Sequence, residues 1–117
     1  MPQILQGSII RATVTDTRGK NPKPRPLVVI TGNAELSSAD AVLAVAITGE
    51  FDDPPQSDEI LLPWQARGKS RTGLRKKSVA KCSWVREIRK ADVLEIKGHC
   101  PTAKLELILE QVGKLTP

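Results

Sequence analysis

Histidine, cysteine and aromatic residues are scarce in this sequence of 117 residues, which has one histidine, two cysteines, one phenylalanine, two tryptophans and no tyrosine. The single histidine, His99, excludes a mechanism in which two imidazoles act as acid and base. No cysteine and histidine residues stand at metal-ligand spacing, so we expect no metal and no other cofactor. With so few aromatic side chains, a stacking platform for single-stranded nucleic acid is also unexpected.

A long hydrophobic run is absent as well. No stretch approaches the roughly 20 apolar residues that span a bilayer, and the N-terminus "MPQILQGSII" lacks the basic-then-apolar layout of a signal peptide. We therefore expect a cytoplasmic protein without a membrane partner. In a reducing compartment Cys82 and Cys100 would remain thiols, and we interpret both as small packing residues.

Nine prolines and eight glycines separate short, β-rich apolar segments, a pattern that favours strands joined by turns. "LVVIT" and "AVLAVAIT" are apolar on both faces and should lie inside a closed or doubly covered sheet. The length favours a single domain over residues 1–117. The predicted strands are Ser8 to Val14, Leu27 to Thr31, Ala41 to Thr48, Glu59 to Leu62, Ser78 to Val85 and Val93 to Lys97.

The last segment changes to a helical period. Pro101 suits a first helical turn, and Gly113 suits a stop. The sequence therefore predicts a mainly β fold with a C-terminal helix that packs against the core. We also expect Trp64 and Trp84 to be buried in the core or at an interface. The apolar residues at i, i+3, i+4 and i+7 of the helix are Leu105, Ile108, Leu109 and Val112.

The charge is unevenly distributed. The formal net charge is +5 and the pI is about 9.5, which favours attraction to polyanions. Between Arg67 and Lys90 the sequence has ten basic residues and a single acid, Glu87. This density suits binding to a phosphate backbone, although a solvated loop and strand face is an equal alternative. These ten are Arg67, Lys69, Arg71, Arg75, Lys76, Lys77, Lys81, Arg86, Arg89 and Lys90.

Arg25 stands between two prolines in "KNPKPRPLVVIT". The prolines restrict the backbone, and a guanidinium fork fits a phosphate and stays charged at cellular pH. A proline-rich linker is the alternative, but the apolar strand that follows favours an ordered strand start. Thr48 ends "AVLAVAIT" before Gly49, where its hydroxyl could donate to a phosphate or could simply be an ordinary strand-end residue. Ser83 in "KCSWVREI" raises the same question.

Taken in order, "GSIIRATVTDTRGKNPKPRPLVVITG", "AVLAVAITGEF", "TGLRKKSVAKCSWVREIRKADVLEIKGHC" and a terminal helix resemble the PemK/MazF family of toxin endoribonucleases. The resemblance runs from Gly7 to about Val112. It implies a small SH3-like β-barrel of the CcdB/PemK type, a homodimer, and metal-independent cleavage of single-stranded RNA. It also implies a cognate antitoxin with an acidic disordered tail.

Carried over by position, the family's active-site arginine falls on Arg25 and its threonine on Thr48. In the implied reaction the RNA 2′-hydroxyl attacks phosphorus and leaves a 2′,3′-cyclic phosphate. Many relatives carry an acid where this chain has Ser83, so the proton acceptor stays open. The substrate-binding residues that we predict with this resemblance are Lys20, Lys23, Arg67, Lys69, Arg71, Lys81 and Ser83.

Two other functions remain compatible with these residues. One is a noncatalytic member of the same fold that binds nucleic acid or protein. The other is inhibition of a topoisomerase by protein contact, because a related toxin with this barrel acts on gyrase.

Overall fold

The computed structural model of the chain describes residues 3–51 and 53–115, which form one six-stranded antiparallel sheet curled into a half-barrel. The strands follow the order β4-β5-β3-β2-β1-β6 across the sheet. The elements are β1 (Ser8–Val14), β2 (Lys23–Val29), α1 (Asn33–Leu36), β3 (Ala41–Thr48), β4 (Glu59–Leu62), β5 (Ser78–Arg89), a 3₁₀ turn (Lys90–Asp92), β6 (Glu95–His99) and α2 (Thr102–Leu115).

The mainly β fold with a C-terminal helix is confirmed, and β1, β3 and β4 have the predicted bounds. β2 begins at Lys23 rather than Leu27 because its proline-rich start pairs with β1. β5 continues past Val85 to Arg89, since its last residues pair with the beginning of β3. The 3₁₀ turn displaces the start of β6 to Glu95. The short α1 was not predicted.

Both faces of the sheet are buried, as the continuous apolar runs predicted. We call the first the helix-covered face; Val28 and Val45 pack there against Leu105 and Ile108 of α2. We call the second the Trp84 face, which contains the alternate residues of the same strands. Side chains of neighbouring strand positions point to opposite faces, so one apolar run serves two cores. The buried residues of the Trp84 face are Ile10, Ala12, Val14, Leu27, Val29, Leu36, Val42, Ala44, Ala46, Trp84 and Ile88.

Helix α2 presents the predicted apolar stripe to the sheet. Leu105 and Ile108 are buried, and Leu109 and Val112 pack against them. The carbonyl of Pro101 accepts the first helical hydrogen bonds, from the amides of residues 104 and 105, so this proline lies at the helix start as expected. Gly113 does not end the helix, which continues to Leu115. None of the helices in the described ranges is long and apolar enough to cross a membrane.

The two cysteines are free and buried in the helix-covered core, in agreement with their interpretation as packing residues. Burial raises the pKa of the Cys82 thiol to about 11, with the Asp58 charge adding to the shift. Burial likewise raises the pKa of Cys100 to about 11. A thiolate is the nucleophilic form, so we expect both thiols to be poor nucleophiles at neutral pH in the folded protein.

We expect Ile108→Ala to lower the free energy of unfolding by about 2–5 kcal/mol, since it opens a cavity in the helix-covered core. Leu107→Ala on the same helix is the matched control, because Leu107 is 43% exposed where Ile108 is 0%. Its effect should stay within about 0.5 kcal/mol. Urea unfolding followed by tryptophan fluorescence measures both values. Equal losses for the two variants would contradict the orientation of α2.

Candidate active site

A cavity of about 400 Å³ opens between the start of β2 and the end of β3 on the Trp84 face. Of the residues that the structure describes, four cationic side chains and two carboxylates belong to its wall. Arg25 and Thr48 both line it, so the two residues that the sequence singled out meet in one concave site. The lining residues are Asp16, Thr17, Lys23, Pro24, Arg25, Pro26, Ile47, Thr48, Gly49, Glu50, Lys76, Ser78, Lys81 and Trp84.

The cavity begins where the ladder between β2 and β3 stops. Pairing covers Leu27 to Val29 only, with Leu27 opposite Ala46. The Ile30 amide donates to Leu43 on the β3 side, whereas the Val29 carbonyl accepts from Gly7 on the β1 side. Backbone groups alternate in direction along a strand. The nitrogens at positions 24 and 26 therefore face β3, and as prolines they carry no hydrogen to donate.

This register aligns the two candidate catalytic residues. Leu27 pairs with Ala46, and each step back along β2 is a step forward along β3. Extended by two steps beyond the last paired residues, this register puts Arg25 opposite Thr48 on the same face of the sheet, and both residues line the cavity. The strands lose their hydrogen bonds at this point, so the facing side chains border a cavity instead of a closed ladder.

The Arg25 guanidinium is fixed from three sides. Its Nε donates to the Val14 carbonyl at 3.3 Å, and one terminal nitrogen donates to the Asn21 carbonyl at 3.0 Å. Its central carbon lies 5.1 Å from the centroid of the Trp84 ring, within the range of a cation–π interaction. These contacts leave part of the donor fork free, because a guanidinium has five N–H groups.

The loop that carries the Asn21 carbonyl is organised by Asp16. One carboxylate oxygen accepts the amides of Arg18 and Lys20, each at 2.9 Å, and the other accepts the Asn21 side-chain amide at 2.9 Å. These hydrogen bonds, first that from the Lys20 amide, lower the pKa of Asp16 below its usual 3.8, and the Arg25 charge adds to the effect. Arg86 of β5 ties the loop to the sheet by donating to the Asp16 carbonyl at 2.8 Å.

Trp84 is the apolar wall under the guanidinium. Its side chain is buried, as predicted, in the core of the Trp84 face. Within the described ranges its Nε1 is the one buried side-chain polar atom without a hydrogen-bond partner. The ring position therefore depends on packing and on the contact with Arg25. Trp64, by contrast, is 45% exposed, so it does not lie in the core, and its burial at an interface stays a prediction.

Thr48 and its neighbours form the opposite wall. The Thr48 hydroxyl oxygen accepts the Glu50 amide at 3.1 Å, which leaves the hydroxyl hydrogen available to a ligand. Lys76 lies against Gly49, where an added Cβ would be 3.0 Å from the Lys76 Cε. Lys81 is 3.7 Å from the carboxylate of the buried Glu59, so part of its charge is already balanced.

The predicted substrate-binding residues divide into two groups. Lys23 and Lys81 line the cavity with Arg25 and Thr48. Lys20 takes part in the Asp16 loop through its backbone, but its side chain does not line the cavity. Four further predicted residues lie outside the cavity wall, and Ser83 among them is exposed on β5. These four are Arg67, Lys69, Arg71 and Ser83.

Sequence reasoning missed several residues of the site. Asp16, Glu50 and Lys76 line the cavity, and Arg86 fixes the loop. The turn signal "TDTRGKN" marks Asp16 as a loop organiser, since Asp accepts the amide two residues on and Gly19 adopts a positive φ of 76°. Among residues 3–51 and 53–115, no group of three or more His, Cys, Asp or Glu side chains is arranged to hold a metal ion.

Comparisons with known proteins agree on one family. The sequence model described as PemK-like, MazF-like toxin of type II toxin-antitoxin system matches residues 5–116. No curated protein matches the sequence.

Solved structures of low sequence identity share the fold. MazF from Deinococcus radiodurans has 17% identity and a TM-score of 0.76, covering 98% of this chain and 97% of its own. An endoribonuclease from a mycobacterial species has 14% identity and a TM-score of 0.72, covering 97% and 91%. A mycobacterial endoribonuclease in complex with its cognate antitoxin has 14% identity and a TM-score of 0.72, covering 97% of each chain.

We expect Asp16→Ala to loosen the loop that holds Arg25 and to change stability with pH. Because the pKa of Asp16 is lowered in the folded protein, its contribution is complete above the unfolded pKa near 3.8 and is lost as the pH falls through the lower folded value. The stability gap between wild type and variant should be constant from pH 7 to 5 and close below pH 4.

Urea midpoints between pH 7 and pH 2 measure this gap, and amide exchange at Arg18 and Lys20 reports the loop directly. Asp40→Ala is the control, because Asp40 is an exposed aspartate outside the cavity. A pH-independent gap for Asp16→Ala would contradict the assigned hydrogen bonds.

Proposed function

The chain belongs to the PemK-like, MazF-like toxins of type II toxin-antitoxin systems, and on this premise we propose that it is a sequence-selective, metal-independent endoribonuclease that cleaves single-stranded messenger RNA. We further propose that residues 1–117 form a single toxin domain acting in the cytoplasm. The observation that carries the proposal is the cavity that Arg25 and Thr48 share, whose charged lining residues are mostly cationic.

The cavity suits an RNA phosphate by charge. Among the described residues, its four cations, Lys23, Arg25, Lys76 and Lys81, outnumber its two carboxylates. Cations at a phosphate supply affinity without base recognition. Arg25 is the cation that the fold fixes most closely, through two carbonyls and the Trp84 ring. Such preorganised charge needs no rearrangement when negative charge develops on the phosphorane.

In the proposed reaction the 2′-hydroxyl oxygen attacks the adjacent phosphorus, and the bond to the 5′-oxygen breaks. The products are a 2′,3′-cyclic phosphate and a 5′-hydroxyl. The free donors of Arg25 stabilise the phosphorane oxygens, and the Thr48 hydroxyl donates to a nonbridging oxygen. A DNA strand lacks the attacking group and is not a substrate.

A noncatalytic member of the fold is the second candidate, because the position at which many relatives carry an acid is taken by Ser83, which is exposed and outside the cavity. Such a protein would bind RNA or a protein partner without releasing product. Cleavage assays separate the two functions directly.

Arg25→Ala should lower RNA cleavage by at least about 100-fold, since it removes the fixed charge at the phosphate. Thr48→Val removes only the hydroxyl and should lower the rate by about 10-fold or more. The assay incubates a long RNA with purified protein in EDTA and maps the cut ends, which should carry cyclic phosphate.

Arg89→Ala is the matched control, because Arg89 is an exposed arginine at the far end of β5. It should cut at the wild-type rate. Thermal melting of all variants excludes unfolding as the cause of a loss. Undiminished cleavage by Arg25→Ala would overturn the catalytic role, and RNA binding without product from wild type would favour the noncatalytic candidate.

We also propose that the toxin is a homodimer and that a cognate antitoxin inhibits it with an acidic, disordered tail that folds over the cationic cavity. Coexpression with the product of the adjacent gene should give a stable complex that no longer cuts RNA, and light scattering should give the mass of a dimer for the toxin alone. The charge reversal Lys76→Glu should weaken the complex, and the affinity that remains should depend less on the salt concentration than that of the wild type. A complex that leaves cleavage unaffected would argue against this mode of inhibition.

A further inference from the structure

The proposed reaction needs a group that accepts the proton of the 2′-hydroxyl. Arginine is a poor acceptor because its pKa exceeds about 12, and lysine is protonated at neutral pH unless its environment shifts it. His99 lies elsewhere, with its Nε2 3.2 Å from the Gln6 carbonyl. Among residues 3–51 and 53–115, the carboxylates that line the cavity are Asp16 and Glu50.

Asp16 is committed to the loop. It accepts three hydrogen bonds from its own loop, and these, with the nearby Arg25 charge, lower its pKa. A carboxylate stabilised in this way is a weaker base. Taking up a proton would also remove acceptors that fix the Asn21 carbonyl, and with it the position of Arg25.

The Glu50 side chain is not held in this way by the described residues of its own loop. In the part of the chain that the structure describes, its carboxylate takes part in none of the ion pairs, which are Arg11–Glu95, Lys81–Glu59 and Lys114–Glu110. Its backbone amide is bonded to the Thr48 hydroxyl, so the residue is anchored beside the group proposed to hold the phosphate while its side chain remains exposed at the cavity wall.

We propose that Glu50 is the proton acceptor and therefore a catalytic residue. This assignment rests on the RNA cleavage proposed above. The Glu50 carboxylate takes the proton of the 2′-hydroxyl, and the electron pair of that oxygen forms the bond to phosphorus. The bond from phosphorus to the 5′-oxygen breaks, its electron pair stays on the 5′-oxygen, and that oxygen takes a proton from solvent. Glu50 then releases its proton to solvent.

The charged groups around Glu50 are consistent with this role. Lys76 comes from the segment before β5, Lys81 from β5, Lys23 and Arg25 from β2, and Asp16 from the β1–β2 loop. These cations attract an RNA phosphate and bring it next to the Glu50 carboxylate. Glu50 therefore meets the 2′-hydroxyl only when the phosphate occupies the cationic part of the cavity.

The test measures single-turnover cleavage of one RNA oligonucleotide between about pH 3.5 and pH 9, a range that includes the pH at which a glutamate ordinarily titrates. Glu50→Gln keeps the size of the side chain and should lower the rate at pH 7 by about 100-fold or more, with loss of the acidic limb of the wild-type pH–rate profile. Glu50→Asp should restore part of the rate and the acidic limb. Glu87→Gln, which changes an exposed glutamate of β5 outside the cavity, should behave as wild type.

Binding separates catalysis from attraction of RNA. The same RNA with 2′-deoxyribose at the cut site cannot react, and Glu50→Gln should bind it at least as tightly as wild type, because a negative charge has been removed. Weaker binding by Glu50→Gln, or a full rate with an intact acidic limb, would overturn the assignment.

Asp16→Asn distinguishes the two carboxylates, because loss of the acidic limb in that variant alone would make Asp16 the acceptor. If wild type cuts no RNA, the proposed function itself fails. If wild type cuts, Arg25→Ala does not, and Glu50→Gln cuts normally, then only the role of Glu50 fails.

Discussion

The candidate site depends on two missing backbone hydrogens. Pro24 and Pro26 occupy the positions of β2 whose nitrogens face β3, and neither can donate to it. The β2–β3 ladder therefore ends at Leu27, and the strands part with Arg25 and Thr48 on facing positions. The same prolines leave the pairing with β1 intact, because the residues that alternate with them face that strand. A cavity is thus built into a sheet without weakening its core.

The contacts around Arg25 hold its guanidinium, and therefore its positive charge, in one position. The side chain is the longest flexible element of the site, and ordering it costs up to about 2 kcal/mol of rotamer entropy. Hydrogen bonds to two carbonyls and the contact with the Trp84 ring order the side chain before any ligand binds. The Asp16 loop supplies one of these carbonyls, so the turn that precedes β2 contributes to the geometry of the guanidinium.

Particular residues show how far sequence reasoning reached. The strand bounds from Ser8, Ala41 and Glu59 followed from local apolar patterns and turn residues, and the stripe of α2 followed from its period. The stop at Gly113 was wrong, since glycine permits a helix end without requiring one and the segment continues in helical form to Leu115. Trp64 does not lie in the core, because residue type gives a tendency and neighbouring elements decide exposure; its burial at an interface stays a prediction. The basic segment from Arg67 to Lys90 looked like one surface, yet Lys76 and Lys81 reach the cavity while Arg67, Lys69 and Arg71 do not line it.

The sequence alone predicted the order of the strands and of α2 and the double burial of β2 and β3, which depend on local apolar pattern. Its resemblance to a known family supplied the family and the candidate pair Arg25 and Thr48. Only the tertiary structure brought Asp16, Glu50, Lys76 and Trp84 to Arg25 and left Ser83 outside. Those placements depend on strand register and loop geometry, in which contacts between residues distant in the chain decide where each side chain points.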